Sequence, residues 1–62
     1  MNGIYAMIAE AESHAGIIMA LLSAADETEN DEYISAYVTC CLEHIAPLQN
    51  ALEGIVKEVT AE

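Results

Sequence analysis

Apolar residues recur along this chain in alternating steps of four and three. They fall at Ile4, Ile8, Ala11, Ala15, Ile18, Leu22 and Ala25. After the polar run DETENDE the alternation restarts at Ile34 and continues through Val38, Cys41, Ile45, Leu48, Leu52, Ile55 and Val59. A repeat averaging three and a half residues is the seam of an amphipathic helix. The pattern predicts helix 1 over about residues 3–25, an acidic turn over about 26–31 and helix 2 over about 32–60, all in one domain spanning 1–62. A connection this short makes the helices antiparallel neighbours, an αα-hairpin.

The turn carries its own start signal. Asn30 alone, or Thr28 with Asp31 three residues on, can cap helix 2, and Asp31 and Glu32 suit the positive end of its dipole. Pro47 removes a backbone hydrogen bond and crowds the Glu43 carbonyl. Because the seam continues in phase beyond Pro47, the expectation is a kinked but continuous helix. Gly54 weakens the same helix and is placed on its outer face.

The polar positions then decide how many helices must meet. Helix 1 has only Glu10 and Glu12 as carboxylates between Gly3 and Ala25, and a second stripe of small residues, Ala6, Ala9, Ser13, Gly16 and Ala20, runs behind its seam. It is apolar around too much of its circumference for a surface helix, so it is expected to be the more buried of the two. On helix 2, Tyr37, Leu42 and Val56 widen the apolar stripe, while Glu32, Glu43, Glu53, Glu58 and Glu62 point outward. Widened stripes go with four-helix bundles. The fold expected is therefore all-α: a hairpin that dimerises into a four-helix bundle, with the fourteen seam residues other than Ala25 as the oligomer interface.

Length strengthens that expectation. A chain of 62 residues buries only about 60% of its unfolded surface and needs a supplement to its core. Two adjacent cysteines, Cys40 and Cys41, cannot staple distant segments, which leaves a metal or a partner chain.

Charge narrows the partners. Eleven Asp and Glu stand against the single Lys57, for a formal net charge of −10. Phosphate backbones and anionic membranes repel such a chain, so neither direct nucleic-acid binding nor membrane binding is expected, and a basic protein is the natural counterpart. Glu53 and Lys57, four residues apart, are the one well-oriented ion pair the sequence offers. The N-terminal stretch has no basic region, and Glu10 and Glu12 interrupt its apolar run, so a cytoplasmic protein with reduced cysteines is expected. In plan the dimer resembles the small plasmid-encoded RNA-binding hairpin dimers. The basic face those proteins need is missing here, so the resemblance implies architecture alone.

The stretch YVTCCLEHIAPL holds what chemistry there is. Folding about residues 28 and 29 brings His14 level with Glu43 and His44, with Glu10 one turn away. His14, Cys41, His44 and Glu10 would then make a zinc-type ligand set. Against it, Cys41 sits on the seam as a small hydrophobe, Cys40 points away, and no C-x-x-C element is present. The favoured reading is a packing surface with no metal and no cofactor. Ser13 beside His14 and Thr39 near His44 lack a cleft or oxyanion site, Glu10 and Glu12 point about 200° apart, and an E-x-x-H motif is missing, so no enzyme is expected.

Two function classes follow. One is an adaptor or regulator that acts through protein–protein contact, with Tyr5, Tyr33 and Tyr37 as contact candidates, and Met7 and Met19 finishing the dimer core. The other is an acidic inhibitor of the phage type, covering a basic nucleic-acid-binding surface with Asp26, Glu27, Glu29, Asp31 and Glu32. Those acids form a patch at the turn rather than a phosphate-like ladder.

Overall fold

The computed structural model describes residues 3–61, which form two α-helices: α1, Gly3–Glu27, and α2, Asp31–Thr60. Met1, Asn2 and Glu62, the last expected among the outward acids, lie outside the described residues. α1 runs through Asp26 and Glu27, two residues beyond the pattern, since neither Gly nor Pro stops it. Its last turn tightens as Thr28 N–H donates to the Ala25 carbonyl at 3.4 Å.

The connection is only residues 28–30, and Asn30 closes it. Its backbone is extended (φ −95°, ψ 115°), and its Oδ1 accepts from the amides of Glu32 at 2.8 Å and Tyr33 at 3.2 Å. Those are two of the four amides a helix start leaves unpaired. Thr28 plays another part: its hydroxyl oxygen accepts from Asn30 N–H at 3.2 Å and holds the loop. Asp31 and Glu32 occupy the first turn of α2 and Lys57 the last, each at the favourable end of the dipole. α2 is unbroken across Pro47.

Three contacts fix the direction of packing. Gly54 lies against Met7, His14 against His44, and Cys41 against the Ile18 carbonyl, so the partner's number falls as the residue number rises. The helices are antiparallel. Written as a heptad abcdefg with Ile4 and Ile34 at a, the contact rows are Ile4, Ala11, Ile18 and Ala25 (a) with Met7, His14 and Leu21 (d) on α1, the d series ending at Thr28 in the connection. On α2 they are Ile34, Cys41, Leu48 and Ile55 (a) with Tyr37, His44 and Ala51 (d). Every one of these residues is buried or half-buried.

The sequence seam coincides with this one along the a row only. Its other half is the e row, Ile8, Ala15, Leu22, Val38, Ile45, Leu52 and Val59, and all of these but the half-buried Ala15 are exposed. The a/d and a/e series both step by three and four, so spacing does not separate them. The hairpin closes on d, where small Ala51, pliable Met7 and the hydrogen-bonded His14 and His44 sit beside Leu21 and Tyr37. Gly54 is not on the outer face either: it is half-buried beneath Met7.

One layer of two helices results, 49 × 14 × 11 Å between Cα extremes. Among the described residues only Ala11, Cys41 and Ala51 are buried, all of them small. α1 contributes one of these and α2 two. A domain ordinarily encloses its core between packed layers, and a lone layer cannot.

Candidate functional site

In an antiparallel pair the two e rows flank the same side of the seam, and here they merge into one apolar face. Ile8, Ala11 and Ala15 from α1 and Leu48, Leu52 and Ile55 from α2 line an open groove of about 410 Å³, with Glu12 contributing its apolar stem. These residues are a and e positions of both helices. The groove lies in the half of the hairpin remote from the turn. Toward the turn the same face carries Leu22 and Val38, with Ile45 between. Leu22 is 46% exposed, Ile45 44%, Leu52 49% and Val59 57%, too large a set of aliphatic side chains at one spacing to be scattered surface residues.

The other side, made by the d and g rows, is chemically different. His14 and His44 meet there with their Nδ1 atoms 3.0 Å apart and ring centroids at 5.2 Å. Nε2 of His14 lies 3.9 Å from a Glu10 carboxylate oxygen. For the pair to hydrogen-bond, one ring donates its Nδ1–H and the other accepts on a bare Nδ1, the direction being set by the tautomers. The structure thus brings together three of the four expected ligand candidates, His14, His44 and Glu10. The fourth, Cys41, directs its Sγ to the Ile18 carbonyl at 3.8 Å. Among the described residues no group of three or more His, Cys, Asp or Glu side chains is placed to hold a metal ion. Cys40 is exposed and Cys41 buried.

The remaining candidates separate by exposure. Tyr5, Tyr33 and Met19 are open to solvent, whereas Tyr37 is half-buried in the d row and Met7 is folded over Gly54. Asp26, Glu27, Glu29, Asp31 and Glu32 are exposed around the turn, as are Ala6, Ala9, Ser13, Gly16 and Ala20 behind α1. Glu53 accepts from the Gln49 amide at 3.3 Å, and among the described residues Lys57 makes no ion pair within 4.0 Å. An exposed Lys–Glu pair is worth little enough for such a switch to cost almost nothing.

Sequence reasoning missed the d row as the internal contact. Its signal was present: Met7, Leu21 and Ala51 are apolar in the same alternation.

By length and composition Gly3–Glu27 also suffices to cross a membrane, with a mean hydropathy of 1.2 over an 18-residue window. In comparisons with protein-family models, curated proteins and solved structures, none matches this chain.

Proposed function

We propose that this is a non-enzymatic acidic hairpin that associates with copies of itself and acts through protein–protein contact, as an adaptor or regulator in the cytoplasm. The observation that carries the reading is the exposed e row on both helices, joined into one apolar face. Full burial of a Leu or Ile side chain is worth about 1.5–3 kcal/mol, so covering the exposed part of each is worth roughly 1 kcal/mol, and the row repeats that gain along the whole hairpin. A partner chain supplies the second layer. A lipid bilayer is the poorer cover: Glu10 and Glu12 lie within α1, and an acidic residue at the centre of a spanning helix costs about 3 kcal/mol.

For the external partner, the acids around the turn stay in water when the apolar face is covered, and a basic protein surface complements them. Occupation of a basic nucleic-acid-binding surface is the more specific version of that reading, favoured by the clustering of Asp26, Glu27, Glu29, Asp31 and Glu32 at one end. Light scattering on the native chain and on Leu52→Asp tests the first part: the native chain is expected to be at least dimeric and the variant to dissociate. Equal masses for the two would remove the e row from the interface. Binding of a purified basic partner candidate at low and high salt tests the second, with steep weakening at high salt expected.

A further inference from the structure

Self-association leaves open which way round two hairpins meet, and shape and charge answer that together. We propose that a second copy of this chain docks on the a/e face with its turn at the opposite end. The two-fold axis crosses the hairpin near Ala15, and Leu22 and Val38 of each protomer enter the groove beside Ile8 and Leu52 of the other. The proposal rests on the self-association proposed above and adds its face and direction.

The internal contacts set the levels along the hairpin. His14 is level with His44 and Ile18 with Cys41, so Leu22 and Val38 share one level near the turn, and Ile8 and Leu52 share another near the open end. Ala15 lies midway between Ile8 and Leu22. Two identical faces can meet about a two-fold axis in two ways. With the axis along the hairpin, groove faces groove and a hollow is sealed between apolar walls, losing the contacts that close packing supplies. With the axis across the hairpin, the exposed Leu22 and Val38 of one copy face the groove of the other, and large side chains fill it. At the axis Ala15 is small enough to let the two copies of α1 approach.

Electrostatics selects the same arrangement. Turns placed together would set Asp26, Glu27, Glu29, Asp31 and Glu32 of both copies within about a Debye length, ~8 Å at physiological salt, of one another. Turns at opposite ends of a body 49 Å long do not meet. Each acidic turn then lies level with Lys57 of the partner, the only cationic side chain of the sequence apart from the histidines. The area also fits a second copy: a face 49 Å by 14 Å offers roughly 700 Å² per protomer, close to the ~800 Å² per partner of a standard stable interface.

Disulfide trapping reads the direction. Exposed Cys40 is first replaced (Cys40→Ser), while buried Cys41 is kept. In that background Ala15→Cys is expected to convert most of the protein to a covalent dimer under mild oxidation, because the two positions meet at the axis within the 4.4–6.8 Å Cα separation a disulfide needs. Glu27→Cys is expected to stay unlinked. A dimer by mass in which Ala15→Cys does not link, or Glu27→Cys does, overturns the arrangement and leaves self-association standing. A monomer by mass, measured on the same unoxidised sample, overturns self-association itself.

Discussion

His14 and His44 face each other across the hairpin with their Nδ1 atoms 3.0 Å apart, thirty residues apart in the chain and both half-buried. Each ring is the other's partner. Removing one leaves a partly buried ring nitrogen without its hydrogen bond, a loss of about 1–3 kcal/mol, whereas replacing both by apolar residues removes the requirement. His44→Ala is therefore expected to destabilise by about 2 kcal/mol, and the double variant His14→Leu/His44→Leu to match or exceed the native chain. Urea denaturation followed by circular dichroism compares them, and a double variant weaker than His44→Ala would show that the pair does more than satisfy itself.

Asn30 carries the start of α2 alone. Its Oδ1 accepts from both Glu32 and Tyr33, and the hydroxyl of Thr28 is occupied by the Asn30 amide. Asn30→Ala is expected to cost about 1 kcal/mol, Asn30→Asp almost nothing, and Thr28→Ala less than Asn30→Ala. Thermal denaturation of the three variants gives the order, and hydrogen exchange at Glu32 and Tyr33 locates the loss.

The helix glycines differ in what stands over them. A methyl group added at Gly16 meets nothing within 4 Å, while at Gly54 it meets the Met7 sulfur at 2.9 Å. Alanine is favoured over glycine in a helix by about 1 kcal/mol. Gly16→Ala should return most of that gain, roughly 4–8 °C in a domain of this size, and Gly54→Ala less, because Met7 must move aside. Melting temperatures in the reverse order would place a neighbour over Gly16.

Much of this architecture is written in the chain. Seven apolar positions before DETENDE and eight after it define two helices, and Asn30 marks where the second begins. Phase was harder to read, because Ile4, Ala11 and Ile18 belong equally to a series through Ile8 and Leu22 and to one through Met7 and Leu21. The hydrogen bond between His14 and His44 lay beyond pattern reasoning for another reason: two imidazoles paired through their Nδ1 atoms depend on the level of one helix against the other to within a fraction of a turn. Gly54 was misplaced with the phase, since the row that brings Met7 inward brings Gly54 beneath it.

The proposed function depends on a single layer of two helices finding its second layer in another copy, because the residues buried within it, Ala11, Cys41 and Ala51, are all small. Sedimentation equilibrium of the unmodified chain across the micromolar range is the most direct measurement. A mass of twice the 6.6 kDa chain, falling toward one chain only as helicity is lost on dilution, is the expected result. A fully helical species at the mass of one chain throughout that range would contradict it.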